Sequence, residues 1–159
     1  MIAQKTRIEK AREKDFPHMA ELVLEEFSYV NASRERLVKR FSEHPEIFMF
    51  KLSDRKGIAG FLELQLREEK ARINALVVKK GFRGKGLGKR LLEFGIDFLK
   101  KQNISEVMLN VKQDNVHAKN IYALYGFESR GVIPNKIIDG APIEKMKLNL
   151  ERGLEEEAG

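Results

Sequence analysis

Leu76-Val77-Val78-Lys79-Lys80-Gly81-Phe82-Arg83-Gly84-Lys85-Gly86-Leu87-Gly88-Lys89-Arg90-Leu91-Leu92 is the stretch that decides how this chain is read. Its first residues close an apolar run of β type, its middle is a loop rich in glycine and Lys/Arg, and its end opens a helix. Leu87, Leu91, Phe94 and Phe98, spaced by four, three and four, predict that helix, with Lys89, Glu93, Asp97 and Lys100 on another face. A strand feeding a glycine-rich loop at a helix start makes an anion cradle. The first helical N–H groups have no internal partner, and the helix dipole favours negative charge there. Glycine lets the backbone come close to a phosphate, and Arg83, Lys85 and Lys89 add positive charge. The plainer reading is a strand–helix joint with a solvated basic loop.

The spelling separates the phosphate-binding options. There is no G-x-x-x-x-G-K-S/T, which leaves a Walker-type loop unsupported. Gly84, Gly86 and Gly88 are spaced G-x-G-x-G rather than G-x-G-x-x-G, against a dinucleotide fold. The segment resembles the acetyl-CoA pyrophosphate loop of the GNAT superfamily of acyl-CoA-dependent N-acyltransferases. That loop reads Arg/Gln-x-x-Gly-x-Gly/Ala, matched by Arg83, Gly86 and Gly88. A second stretch, Asn115, Ala118, Tyr122 and Gly126-Phe127, resembles the family's N-x-x-A-x-x-x-Y-x-x-x-G-F. Two separated motifs in the right order are far more specific than either alone.

Composition is consistent with this. A chain of 159 residues suits a single domain spanning 1–159. Hydrophobic content of 42% beside 34% charged residues fits a soluble globular protein. No apolar run approaches the ~20 residues of a membrane helix. The start, Met1 to Arg7, lacks a signal-peptide apolar core, so a cytoplasmic location is expected. Without cysteine there is no disulfide framework, thiolate metal site or acyl-cysteine intermediate. His18, His44 and His117 show no metal-ligand spacing, and no metal is expected. A net charge of +6 favours an anionic ligand. The basic residues are dispersed, without the aromatic-rich basic motif of a nucleic-acid binder. Absence of Cys and Trp beside abundant Lys, Arg and Glu hints at a thermophilic source.

Along the chain, Thr6 to Ala11 is expected as a first strand. Asp15 is expected to cap a helix carrying Phe16, Met19, Ala20, Val23 and Phe27. Ser33 is expected to open a second helix with Leu37, Val38 and Phe41. Ile47 to Leu52 and Ile58 to Arg67 read as a hairpin turning at Ser53 to Gly57. In the second strand Leu62, Leu64 and Leu66 take one face and Phe61, Glu63 and Gln65 the other. Ala71 to Val78 delivers the glycine loop, and the long helix runs to about Gln102. Then come a strand at Val107 to Val111, a helix at Asn115 to Tyr125 ended by Gly126, and strands around Phe127 to Val132 and Ile143 to Leu150. The acidic tail from Glu151 to Gly159 is expected to fray. The order β-α-α-β-β-β-α-β-α-β-β is an α/β fold. It resembles the GNAT fold, a mixed, largely antiparallel sheet of about seven strands with flanking helices.

The resemblance implies acetyl-CoA as cosubstrate and an amine as acceptor. It also implies a sheet that splays where the strand ending at Val78 meets the strand ending at Val111. The backbone of Leu76, Val77 and Val78 would bond the pantetheine there as a further strand would. Arg83, Gly84, Lys85, Gly86, Leu87, Gly88 and Lys89 would hold the pyrophosphate, and Asn115 the pantetheine; read without the family, Asn115 is an ordinary N-cap. Tyr122 matches the family tyrosine. A phenol of reference pKa ~10 can protonate a departing thiolate of ~8.5 as the C–S bond breaks. Tyr125, three residues on, is the decoy.

A primary amine must also lose a proton. Ribosomal-protein N-terminal acetyltransferases of the family carry a glutamate where this chain has Asn110, and an amide cannot act as a carboxylate base. Glu63, interrupting an apolar strand as a half-buried carboxylate, is the candidate replacement, ahead of Glu26; a water chain lined by Asn74 needs neither. The expected function is an N-acetyltransferase acting by direct attack in a ternary complex. The acceptor is a protein N-terminus, lysine, polyamine or small-molecule amine, chosen by the first two helices and the segment from Gly131 to Pro142. A homodimer is compatible with this reading. The rivals are an acyl-CoA-binding regulatory module without turnover, suggested by Asn110, and nucleic-acid binding, suggested only by charge.

Overall fold

A computed structural model describes residues 5–27 and 29–150. The expected fraying of the tail falls outside them. Among the described residues the elements are β1 (Arg7–Lys10), α1 (Phe16–Glu26), α2 (Arg34–Glu43), β2 (Ile47–Asp54), β3 (Gly57–Arg67), β4 (Lys70–Val78), α3 (Leu87–Lys101), β5 (Glu106–Lys112), α4 (Val116–Leu124), β6 (Glu128–Ile138) and β7 (Ala141–Asn149), in the expected order. The strands form a seven-stranded sheet in the order β1-β2-β3-β4-β5-β7-β6. The β4–β5 pair is parallel; β1–β2, β2–β3, β5–β7 and β6–β7 are antiparallel.

Two compact units make up the chain, one of residues up to Gln65 with Ala75–Ile96, the other of Leu66–Asn74 with residues from Asp97 onward. In the first unit, α1 and α2 lay Phe16, Met19, Leu22, Leu37 and Phe41 onto Met49, Phe61 and Val77, forming one apolar cluster. Phe16 and Phe41 meet edge to face at 5.7 Å. Ser33 caps α2 as expected, its Oγ accepting from the Arg36 amide at 3.2 Å. Asp15 stands at the N-cap position of α1 without capping it. Its carboxylate accepts instead from the Arg12 amide at 2.8 Å and meets Lys51 Nζ at 2.9 Å. Burial opposes the charge on Asp15, but the Arg12 and Lys51 hydrogen bonds outweigh it and hold the carboxyl below its ordinary range. Phe27 lies just beyond the helix it was expected to join.

Strand β3 is buried from Ala59 to Leu64, on both faces, so its alternation does not divide core from solvent. A Cβ on Gly60 would stand 2.4 Å from the Val77 carbonyl oxygen, so this glycine permits the close approach of β3 and β4. Helix α3 also departs from the expected face. Leu91, Leu92, Ile96 and Leu99 are buried, while Phe94 and Phe98 are only half-buried. The reason is Gly95: a Cβ there would stand 2.5 Å from Leu62 Cδ2, so the helix lies against β3 through its glycine.

In the second unit, β5 alternates cleanly, with Val107, Leu109 and Val111 buried. Its partner β7 runs in register from Glu106↔Asn149 to Lys112↔Ile143. Gly126 ends α4 with φ +98°, as a C′ glycine does. Strand β6 extends six residues past its expected end at Val132, to Ile138. Register irregularities between Ser129 and Val132 and between Val132 and Ile137 carry it through Gly131 and Asn135, both at positive φ. The segment expected to select the acceptor, Gly131 to Pro142, is thus the β6–β7 hairpin.

Candidate active site

The loop after β4 leads through its glycines into α3. Lys79 N–H donates to the Ala59 carbonyl at 2.7 Å, fixing the end of β4 to β3. A short 3₁₀ turn at Lys80–Phe82 follows. Gly84 and Gly86 take φ +80° and +76°, conformations that favour glycine, and a Cβ at either would meet nothing within 4 Å. Arg90 N–H closes the first turn of α3 on the Gly86 carbonyl at 3.1 Å, leaving the amides of Leu87, Gly88 and Lys89 ahead of the first i→i−4 bond. The first turn of α3 carries no acidic residue. Open space, free helix-start amides and Lys85 and Lys89 together suit a diphosphate. Lys85 Nζ lies 5.7 Å from the Phe82 ring.

Arg83 behaves differently from a freely offered phosphate ligand. Its Nε donates to the Val78 carbonyl at 3.1 Å, and its Nη2 meets the carboxylate of Glu26 at the end of α1. Val77 is in the core, while Leu76 and Val78 are half-buried. The registered β4–β5 pairs run from Lys70↔Glu106 to Ile73↔Leu109, and β4 continues to Val78.

Glu63 is fully buried, at 3% exposure, rather than half-buried. Arg40 of α2 clamps it in a fork, Nη1 to Oε1 at 2.7 Å and Nη2 to Oε2 at 2.6 Å. The hydrogen bond to Glu63 raises Arg40 above its already high range. Sequence reasoning missed this partner, since nothing marks a helical arginine 23 residues upstream as its mate. Both candidate carboxylates, Glu63 and Glu26, are therefore ion-paired.

In the second unit, Asn115 caps α4, its Oδ1 accepting from the Ala118 amide at 3.2 Å. Tyr122 is buried at 9% exposure and packs edge-on against Phe127 at 5.7 Å. Its hydroxyl makes no hydrogen bond to a described residue. Burial pushes the phenol up to about 12, so it is a protonated donor throughout the neutral range. Tyr125 stands at the C-cap, outside the helix, and is half-buried. Asn110 is a half-buried residue of β5. With its amide turned to match donors and acceptors, its oxygen lies 2.6 Å from Arg72 Nη2 and its nitrogen 3.2 Å from the Leu109 carbonyl.

A buried carboxylate absent from the sequence reading is Glu144 of β7, 3.0 Å from Lys119 Nζ of α4. The Lys119 hydrogen bond, aided by Ser129 and opposed by burial, holds it below the usual range. Glu144 breaks the alternation of β7, a signal of the same kind as Glu63 in β3. Among the described residues no group of three or more His, Cys, Asp or Glu side chains could hold a metal. No described helix is long and apolar enough to cross a membrane.

The chain is similar to known proteins over most of its length. The family model described as "Acetyltransferase (GNAT) family" matches residues 8–127. A Bacillus subtilis (strain 168) protein provisionally named ribosomal protein bS18-alanine N-acetyltransferase is 21% identical over 135 residues, 85% of this chain and 89% of that protein. The ribosomal-protein-S18-alanine N-acetyltransferase of Escherichia coli superposes with TM-score 0.80 at 23% identity, covering 92% of this chain and 94% of the other. The PaiA N-acetyltransferase of Thermoplasma acidophilum, solved with coenzyme A, superposes with TM-score 0.72 at 21% identity, covering 91% and 99%. With a family model matched over most of its length, the chain belongs to the GNAT family of acetyltransferases, enzymes whose acyl donor is acetyl-CoA.

Proposed function

We propose that residues 1–159 act as one N-acetyltransferase domain that passes the acetyl group of acetyl-CoA directly to a primary amine in a ternary complex. The observation that carries this is the loop: two glycines at positive φ with open space beside them, at the start of a helix without acids in its first turn. The backbone from Gly84 to Gly88, with Lys85 and Lys89, would hold the diphosphate, the backbone of Leu76 to Val78 the pantetheine, and Asn115 its amide. Tyr122 would donate the proton that the leaving CoA sulfur takes as the C–S bond breaks. Burial, which raises the phenol to about 12, keeps it protonated in the neutral range, so the proton is in place when charge develops on sulfur.

The proton shed by the amine is assigned to water. A proton reaching either oxygen of Glu63 must displace or share an Arg40 contact of 2.6–2.7 Å. We therefore treat Glu63 as the anion that anchors α2 to β3, in place of the base expected from sequence. The names of the relatives place protein N-termini among the acceptors to test. Asn110, whose turned amide meets Arg72, argues against the class that resemblance gives a glutamate at this place. The same observation favours a second reading, an acyl-CoA-binding module without turnover. Titration with CoA, followed by thiol release from acetyl-CoA against peptides, lysine derivatives and polyamines, tests both. Binding with amine-dependent thiol release supports the enzyme; binding without it supports the module.

A further inference from the structure

Every strong cation in the glycine loop would be expected to wait for phosphate, yet Arg83 is already engaged. It joins the carbonyl of Val78, the last residue of β4, to the carboxylate of Glu26, the last residue of α1. Among the described residues, Arg83 is the one partner of Glu26. The position of Glu26 is unfavourable without a cation. An anion at a helix C-terminus opposes the dipole, and the side chain is only 15% exposed, so water cannot compensate it well. Arg83, at 53% exposure, is open to an incoming ligand. A guanidinium next in sequence to Gly84, in the loop assigned to the diphosphate, is thus paired with a carboxylate of its own chain.

We infer that Arg83 and Glu26 form an exchange switch that couples donor to acceptor, an inference that rests on the diphosphate assignment of the loop. Glu26 occupies Arg83 as a placeholder anion while the cradle is empty. A diphosphate, with more charge and more acceptor oxygens, draws the guanidinium away. Glu26 is then a poorly solvated carboxylate at the negative end of a helix, and the cation it takes up is the ammonium of the acceptor. Acetyl-CoA would thereby create the acceptor's charge site as it binds. The acceptor class is an alkylammonium; an arylamine, uncharged at neutral pH, would gain nothing. Glu26 binds the acceptor on this account, holding its charge and leaving the acyl transfer to other groups.

The two roles give Glu26→Gln opposite effects on the two ligands. Removing the placeholder should tighten CoA, measured by calorimetry, by about three- to five-fold, as expected for a partly exposed ion pair. Removing the acceptor's counter-charge should raise the KM of an alkylamine acceptor about ten-fold with little change in kcat, and leave an arylamine unaffected. In an Arg83→Gln background the Glu26 substitution should no longer affect CoA. Glu21→Gln removes a carboxylate from the same helix, where it pairs with Arg34 at 3.3 Å. It should change neither constant. Unchanged CoA affinity in Glu26→Gln, or equal tightening in Glu21→Gln, would overturn the switch. Failure of the unaltered protein to bind CoA would instead overturn the loop assignment beneath it.

Discussion

Replacing Tyr122 by Phe removes one hydroxyl and almost no packing volume. Because the hydroxyl has no hydrogen-bond partner among the described residues, the edge-on contact with Phe127 at 5.7 Å should survive. Stability at neutral pH should change by less than about 1 kcal/mol, a shift of no more than about 2–4 °C in Tm. The rate should fall about 10²–10⁴-fold, the range for losing a general acid, with CoA affinity unchanged. Alkaline stability offers an independent reading. The folded phenol titrates near 12, above its unfolded value of about 10. Its contribution is fully present below pH ~10 and is lost as pH rises toward 12, amounting to about 3 kcal/mol for two pKa units. The Phe variant should lack that alkaline loss. A thioester with a more acidic thiol needs less protonation and should rescue Tyr122→Phe more than the unaltered enzyme. Stopped-flow thiol release and pH-dependent melts check these outcomes, with Tyr125→Phe as control. Equal kinetics in the two variants, with no rescue in either, would reduce Tyr122 to a packing residue.

Gly86→Val meets no steric wall, since a Cβ there has nothing within 4 Å, but φ +76° costs a β-branched residue about 1–2 kcal/mol. The protein should fold with a slightly lowered Tm while calorimetry finds no CoA binding; wild-type affinity would refute the cradle. Gly88→Ala should be mild by the same assay, its nearest neighbour being Val78 Cγ2 at 3.8 Å. Glu63→Gln breaks a buried ionic fork. Because Arg40 is 40% exposed, denaturant melts should show a loss nearer ~2 than ~4 kcal/mol, with the acid limb of the pH–rate profile unchanged. Disappearance of that limb would restore Glu63 as base. Glu144, held below its ordinary range, contributes stability that is present above its unfolded value and lost as pH falls through its folded one. Melts below pH ~5 should therefore fall less steeply in Glu144→Gln.

The parts of this fold legible from sequence are those set by local chemistry. Ser33, Gly126 and the loop glycines act within a few residues of themselves, and each stands where the spacing placed it. The departures come from contacts distant in sequence. Asp15 has the composition of a cap, but Lys51 of β2 competes for its carboxylate. The buried face of α3 is centred on Gly95, and a glycine carries no hydrophobic signal, so a count of apolar side chains settled on Phe94 and Phe98 instead. β6 contains a glycine, a proline and an asparagine, each a reason to end a strand, yet β7 holds it through two irregularities of register. At the site, the residue types were legible and their partners were not. Arg40 for Glu63, Glu26 for Arg83 and Arg72 for Asn110 are all pairings that only the fold brings together.

The most direct test of the central claim is to follow free CoA and acetylated product together when the protein is given acetyl-CoA and a panel of primary amines. The account predicts thiol release that depends on the amine, matches the acetylated product in amount, and vanishes in Gly86→Val. Tight acetyl-CoA binding with no amine-dependent thiol release across peptides, lysine derivatives, polyamines and small amines would contradict it.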